Sequence, residues 1–197
     1  MVQKIAIGLV SQMVTEKMID VRQKENYIYT LVSLLERCIT VGTILLFSAL
    51  IGKLAQAVLF LVFFLSLRKR TGGYHLNTFF QCYVATLSTF ILVIGVCDIL
   101  VAYPRLVLGM LFVAMCIVES IGTVNHPNLH MDNTELEKSK KAARILVLLE
   151  CSLIYCFALI GMNMVYVCYM SIAIILCATL LGIAKILKQE VIGSEEN

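Results

Sequence analysis

Residues 27–67 decide the fold, because they form a long apolar stretch that reads YIYTLVSLLERCITVGTILLFSALIGKLAQAVLFLVFFLSL. The only charged side chains in this stretch are Glu36, Arg37 and Lys53. A transmembrane helix needs about 20 residues to cross the hydrocarbon core of a bilayer. The stretch is therefore too long for one span and just long enough for two, with a turn at Gly52 and Lys53.

The rest of the chain follows the same pattern. Further apolar segments are predicted at about residues 83–102, 106–124, 145–160 and 164–184, with tight breaks at residues 103–105 and 161–163. The mean hydropathy is +0.90, and only 15% of the residues are charged, against about 25% in a soluble domain. We therefore predict an all-α, polytopic integral membrane protein with six transmembrane helices. Residues 1–197 form a single domain, because six spans leave no room for a separate soluble one.

Residues 1–24 precede the first span and alternate apolar and polar side chains at helical spacing. Ile5, Leu9, Val10 and Met13 recur at three- and four-residue steps, with polar and charged residues around them. This pattern predicts an amphipathic helix that lies on the membrane surface. A helix packed on the membrane domain explains the pattern equally well.

Basic residues are distributed unevenly between the two sides of a six-span protein. One side receives the N-terminal segment, residues 68–70, the basic run at residues 138–144 and the tail, whereas the other receives only Lys53 and Arg105. Lysine and arginine are retained on the cytoplasmic side of a membrane. We therefore predict that both termini are cytoplasmic.

Several other functions are not supported by the sequence. The net charge of +3 is too small to indicate nucleic-acid binding. The eight cysteines contain no C-x-x-C pair, and seven of them lie inside apolar runs, where a buried thiol is more typical than a disulfide framework. His126 and His130 have the four-residue spacing of metal ligands on a helix, but Pro127 between them favours a loop and no third ligand is evident. We predict neither a metal nor a cofactor.

One concentrated polar segment, residues 68–82, follows the second span and reads RKRTGGYHLNTFFQC. Gly72 and Gly73 permit a turn with positive φ, and Asn77 or Thr78 is positioned to cap the next helix. Cys82 would then lie in the first turns of that helix, where the helix dipole favours a thiolate.

His75 and Cys82 are seven residues apart, which on a continuous helix separates them by about 10.5 Å. Chemistry between them therefore requires His75 to lie in the glycine-containing loop and fold back over the helix start. In that position the imidazole could take the thiol proton and later protonate a leaving amine. Taken alone, the spacing is more typical of an interfacial histidine and a buried thiol than of a catalytic pair.

Further side chains could support such a site. Asn77, Gln81 or backbone amides at the helix start could stabilise an oxyanion. Glu119 is better placed than Asp98 to orient His75, because Asp98 falls toward the opposite side in a six-span arrangement. Residues 125–144 are predicted to form a cytoplasmic loop, and the mixed-charge segment within it, residues 132–141, either anchors the topology or attracts an acidic peptide. The basic side chains of this segment are Lys138, Lys140 and Lys141.

The pattern Arg70-x-Gly72-Gly73-x-His75, followed by Cys82, resembles the active-site signature of the accessory gene regulator B family. Residues 125–128, which read NHPN and precede a lysine-rich stretch, resemble a second feature of that family. Its members are membrane-embedded cysteine peptidases that process autoinducer propeptides in Gram-positive quorum sensing. The resemblance implies that Cys82 is the nucleophile, that His75 is the base and that Arg70 and Gly73 support the site. It also implies that the protein lies in a bacterial plasma membrane with its site on the cytoplasmic side.

The resemblance also implies a substrate and an assembly. The substrate is a short propeptide with an amphipathic helix, a central autoinducer segment and an acidic tail. Cys82 would remove the tail and hold the rest as a thioester, which a side chain of the peptide converts to a thiolactone or lactone. A homodimer is implied as well. Two other classes stay open, namely a small transporter in which Glu36, Asp98 and Glu119 line a polar path, and a non-catalytic membrane scaffold.

Overall fold

The computed structural model describes residues 2–16, 18–72, 79–124 and 133–187. Within these ranges the chain forms seven α-helices, a short 3-10 helix at Val21–Gln23 and no strand, which confirms the all-α prediction. The helices are α1 (Val2–Thr15), α2 (Lys24–Leu50), α3 (Leu54–Thr71), α4 (Phe79–Leu100), α5 (Pro104–Ile121), α6 (Asn133–Leu159) and α7 (Met164–Ile186).

Three short turns join α2 to α3, α4 to α5, and α6 to α7 at one end of the bundle, here called the turn end. They lie at residues 51–53, 101–103 and 160–163, where the sequence predicts breaks. Pro104 is tolerated as the first residue of α5, because the N–H that it lacks would have no partner there. The Asn163 side chain accepts a hydrogen bond from the Val165 amide and so caps α7. The opposite end, with the start of α4 and the ends of α3 and α5, is called the loop end.

Five of the described helices are long and apolar enough to cross a membrane, so the chain is a multi-pass membrane protein. They contain the candidate spans Thr30–Leu50, Phe80–Leu100, Pro104–Ile121, Thr134–Leu159 and Met164–Ile186. The predicted second span, α3, has 18 residues but carries three basic side chains in its last turn. Its apolar part, residues 54–67, extends about 21 Å, which is shorter than the ~30 Å hydrocarbon core. The count of six spans therefore stays a prediction.

Helix α7 forms the centre of the bundle and packs most extensively against α3 and α5. Tyr169, Met170 and Ile174 of α7 are almost fully buried. Phe60 of α3 contacts the ring of Phe90 on α4 within the same core. Many large apolar side chains of the other helices are exposed, for example Leu46, Leu92 and Leu149, as expected where lipid rather than water surrounds the middle of a helix. This arrangement places the ends of α3, α5 and α7 close together at the loop end.

Helix α1 is shorter than the predicted helix over residues 1–24, because it ends at Thr15. It packs against α2 and buries Ala6 and Val10, which requires the chain to turn between the two helices. Ile5 and Leu9 are exposed on its outer side. The contact with α2 favours the alternative in which this helix packs on the membrane domain.

Candidate functional site

Cys82 lies in the first turn of α4, as the sequence predicts, and its side chain is half-buried. The next residue, Tyr83, donates a hydrogen bond from its hydroxyl to Oγ1 of Thr43 on α2, at 3.2 Å. The Thr86 hydroxyl donates to the Cys82 carbonyl, as a helical threonine commonly does. The start of α4 is thus fixed to α2, and the thiol is placed at the loop end.

Arg68 is a site residue that the sequence does not single out. Its guanidinium lies within electrostatic range of the Cys82 and Cys177 sulfurs. The same group donates a hydrogen bond from Nη1 to the Gly72 carbonyl at the end of α3. Arg68 therefore stabilises the end of α3 and places a positive charge at the same end of the bundle as the Cys82 thiol.

Arg70, to which the family resemblance gives a supporting role, has an exposed side chain. Its backbone carbonyl accepts hydrogen bonds from the hydroxyls of Thr123, at 2.9 Å, and Ser139, at 3.0 Å. Position 70 thus contributes to the site through its backbone, which joins α3 to the end of α5 and the start of α6.

Gly72 ends α3 with a φ of +65°, a conformation that side-chain-bearing residues rarely adopt. A Cβ at this position would lie 2.9 Å from the Val124 carbonyl oxygen. The Val124 amide in turn donates to the Thr71 carbonyl, at 3.1 Å. The predicted turn at Gly72 is confirmed, and the glycine also permits the close approach of the segment that follows α5.

The first turns of α6 bind the end of α5. Arg144 Nε donates to the Glu119 carbonyl at 2.9 Å, and Lys140 packs against Gly122, where a Cβ would lie 3.1 Å from the lysine Cγ. Lys140 Nζ also forms an ion pair with Glu137 at 2.9 Å. Lys140 and Arg144 therefore hold α5 and α6 together.

The other two predicted lysines, Lys138 and Lys141, have exposed side chains. The predicted basic segment is thus divided between one lysine that packs on α5 and two that face outward. Gln81 is also exposed and lies beside Cys82 in the first turn of α4.

The two carboxylates considered as partners for His75 lie at opposite ends of the bundle. Asp98 accepts hydrogen bonds from Lys53 Nζ at 2.5 and 2.7 Å, at the turn end, so the expectation that it lies away from the site is confirmed. Glu119 lies near the end of α5, at the loop end, and its buried Oε1 has no hydrogen-bond partner among the described residues.

A third intramembrane carboxylate lies deeper in the bundle. Glu150 of α6 is buried, and its Oε1 accepts a hydrogen bond from Oγ of Ser66 on α3 at 2.5 Å. This polar contact ties α3, which carries Arg68, to α6.

The chain matches a known protein family over most of its length. The sequence model of accessory gene regulator B matches residues 3–183. The chain belongs to the accessory gene regulator B family. Membership confirms the resemblance and connects the protein with the processing of autoinducer peptides, a proteolytic role. Comparison with curated proteins and with solved structures finds no significant match.

Parts of the accessory gene regulator B signature lie outside the described residues. These parts are Gly73, His75 and residues 125–128. Asn77, the candidate oxyanion donor, and His130, the second histidine considered as a metal ligand, also lie outside the described residues. The described residues contain no cluster of three or more side chains that could hold a metal ion.

The described residues do show the points from which the chain continues into these parts of the signature. The first continues from Gly72 and the second from Val124, and the contacts between residues 71–72 and Val124 place these two starting points side by side. Cys82 and Arg68 lie at the same end of the bundle. Cys82, Arg68 and the points from which the two signature segments continue therefore lie together at the loop end.

Proposed function

We propose that the protein is a membrane-embedded cysteine endopeptidase that removes the C-terminal tail of an autoinducer propeptide, with Cys82 as nucleophile and His75 as general base. One observation carries the proposal. The thiol that the family signature singles out lies at the start of a helix and near a guanidinium, at the end of the bundle where both signature segments begin. A positive charge and free helix amides are typical surroundings of a reactive thiolate.

The proposed reaction begins when His75 takes the proton of the Cys82 thiol. The sulfur then attacks the carbonyl carbon of the peptide bond that precedes the tail, and its electron pair forms the new C–S bond while the carbonyl oxygen becomes negative. Backbone amides at the start of α4, aided by Asn77 or Gln81, donate hydrogen bonds to this oxyanion, and Arg68 stabilises its charge. When the oxyanion collapses, the C–N bond breaks, His75 protonates the leaving amine, and a thioester on Cys82 remains.

The second half of the reaction closes the ring. A cysteine or serine side chain of the bound peptide loses its proton to the base and attacks the thioester carbonyl, which gives a thiolactone or lactone and restores the Cys82 thiol. Exchange between two thioesters is nearly balanced in energy, so water must be kept away from the intermediate. A site at the membrane boundary beside apolar side chains such as the exposed Phe80 suits that requirement.

Substrate binding in this proposal uses the bilayer and the basic residues of the loop end. The propeptide lies on the membrane through its amphipathic helix, and Lys138 and Lys141 attract its acidic tail. Basic side chains are concentrated at the loop end, and we therefore propose that this end, both termini and the site are cytoplasmic. Six spans and assembly as a homodimer belong to the same proposal, the latter on the family resemblance.

The transporter hypothesis is less well supported. It predicts at least two ionisable side chains that meet within the membrane. Among the described residues, Asp98 is paired with Lys53 at the turn end, far from Glu119 at the loop end. Among the described residues these two carboxylates therefore do not meet, and Asp98 belongs to a single ion pair rather than to a continuous polar path.

The experiment is co-expression of the propeptide with Cys82→Ala, Cys82→Ser and His75→Ala variants, followed by mass spectrometry of the peptide. We expect no released tail with Cys82→Ala or His75→Ala, and with Cys82→Ser either strongly reduced cleavage or a trapped ester. Cys116→Ala serves as a matched control, because Cys116 is an exposed cysteine on α5 away from the start of α4. Full cleavage by Cys82→Ala would contradict the proposed mechanism.

A further inference from the structure

An apolar groove runs along the face of the bundle between α5 and α7. Its volume is about 440 Å³, and it is lined by seven residues of α5 between Arg105 and Ile117, together with Ile175, Ala178 and Thr179 of α7. Small residues, among them Gly109 and Ala114, leave the space between the two helices open.

The length of the groove matches one leaflet of a bilayer. From Arg105 to Ile117 the helix rises about 18 Å, and half of the hydrocarbon core of a typical bilayer is about 15 Å. The groove therefore starts at the turn end and extends slightly past the middle of the membrane, where residues 175–179 of α7 line it.

A cationic side chain without a counter-charge, that of Arg105, lies at the turn-end opening of this groove. Arg105 is exposed in the first turn of α5, where the helix dipole adds positive potential, and it has no hydrogen bond or ion pair within the described part of the chain. The other basic residue at the turn end, Lys53, is neutralised by Asp98 at 2.5 Å. Arg105 thus combines a free guanidinium with an apolar channel of leaflet length.

We propose that this groove is a binding site for one anionic phospholipid of the leaflet at the turn end. The phosphate binds to the Arg105 guanidinium, whose planar donors suit bidentate contact with phosphate oxygens. One acyl chain lies along the groove and contacts Gly109 and Ala114. Apolar packing against the helices is available to every lipid, so the selectivity for an anionic headgroup comes from Arg105.

A second copy of the chain fits this surface less well. In a parallel dimer both turn ends lie on the same side of the membrane. Asp98 is the only acidic residue in or next to the turns of that end, and it is already bound to Lys53. A second copy therefore has no free carboxylate to offer Arg105, whereas an anionic lipid supplies the missing charge.

The test uses the full-length protein purified in detergent and native mass spectrometry during titration with phosphatidylglycerol or phosphatidylcholine. The wild type is expected to retain one phosphatidylglycerol about fivefold more tightly than phosphatidylcholine. Arg105→Gln should remove this preference, and Gly109→Leu should lower the occupancy of both lipids by filling the groove. A side chain at position 109 has free space at its base, because no atom lies within 4 Å of the point where its Cβ would stand.

The matched control is Gly95→Leu on α4, which also has free space around its Cβ and lies outside the groove. It should bind lipid as the wild type does. Equal affinity of the wild type for both lipids, or no effect of Arg105→Gln and Gly109→Leu, overturns the proposal. A Gly109→Leu variant with unchanged lipid occupancy but a smaller dimer fraction overturns it too, because the groove would then be an interface between copies. None of these readouts uses propeptide cleavage, so the result is independent of the proposed peptidase activity.

Discussion

Arg68 and Arg70 lie two positions apart in the last turn of α3, but Arg68 is half-buried within electrostatic range of Cys82, whereas the Arg70 side chain is exposed. We expect Arg68→Gln to lower the rate of propeptide cleavage by about a hundredfold, the usual effect of losing one group that stabilises a transition-state charge. Arg68→Lys should restore part of the rate, since it keeps the charge but loses the planar fork. Arg70→Gln should have a much smaller effect, because its side chain is exposed. The measurement is the rate of tail release in proteoliposomes.

Equal losses in Arg68→Gln and Arg70→Gln would show that the cluster acts only as bulk positive charge. A circular dichroism spectrum and a melting temperature for each variant provide the control, because Arg68 also bonds the Gly72 carbonyl and its loss could loosen the end of α3.

The sequence correctly predicts the location of Cys82 at the start of a helix and the turn at Gly72, because glycines and polar residues interrupt an apolar run there. It does not distinguish Arg68 from Arg70. Residues two apart on a helix face different directions, and the burial of Leu67 and Thr71 that turns Arg68 inward depends on packing between helices. Membership of the family was predictable from residues 70–82, whereas the adjacency of Gly72 and Val124 was not, since it is a contact between distant parts of the chain.

The end of α3 gives a prediction at the scale of helices. Gly72→Ala should destabilise the protein and reduce cleavage, because a residue with a side chain costs roughly 1–3 kcal/mol in this sparsely populated positive-φ region and its Cβ would also meet the Val124 carbonyl. Gly52→Ala is the matched control, since Gly52 has a φ of +72° but open space around its Cβ. The free energies of unfolding of the two variants, measured by thermal unfolding in detergent, should differ by at least about 1 kcal/mol. Similar melting temperatures for both would mean that the contact with Val124 is not tight.

The hydrogen bond between Ser66 of α3 and Glu150 of α6 gives a second prediction at the scale of helices. Glu150→Gln keeps an acceptor for the Ser66 hydroxyl and removes a buried ionisable group, so we expect unchanged cleavage and equal or greater stability. Glu150→Ala should lower stability by about 2 kcal/mol, because it removes the contact and leaves a cavity. The free energy of unfolding in detergent and the cleavage rate measure both effects. Loss of cleavage in a well-folded Glu150→Gln variant would instead assign the carboxylate a chemical role.

Helix boundaries were predicted well where a residue that breaks helices stands in the sequence. The turns at Gly52, Pro104 and Gly161 are examples. The start of α6 was not predicted, because hydropathy registers only its apolar part from about residue 145. The helix begins at Asn133, and its polar first turns are stabilised by the contacts of Lys140 and Arg144 with the end of α5.

At the scale of the whole molecule, the sequence does not indicate which helix is central. About 67% of the α7 span is buried, against 6% of the α2 span, although both are apolar. A lipid-facing side chain and a buried one are equally apolar in a membrane protein, so composition does not reveal the packing order. The structure does show that the two ends of the molecule differ: the Cys82 thiol lies at the loop end and the Lys53–Asp98 pair lies at the turn end.

This difference between the two ends leads to a prediction of how the protein is oriented in the membrane. Tyr103, in the turn end, and Lys138, in the loop end, are both exposed and can be replaced by cysteine without disturbing a described hydrogen bond. A membrane-impermeant thiol reagent should label Tyr103→Cys on intact cells, and Lys138→Cys only after permeabilisation, because basic residues hold the loop end in the cytoplasm. The wild type, with its eight cysteines, measures background labelling. The reverse pattern would place Cys82 on the outer side of the membrane, and the propeptide would then have to cross the bilayer before cleavage.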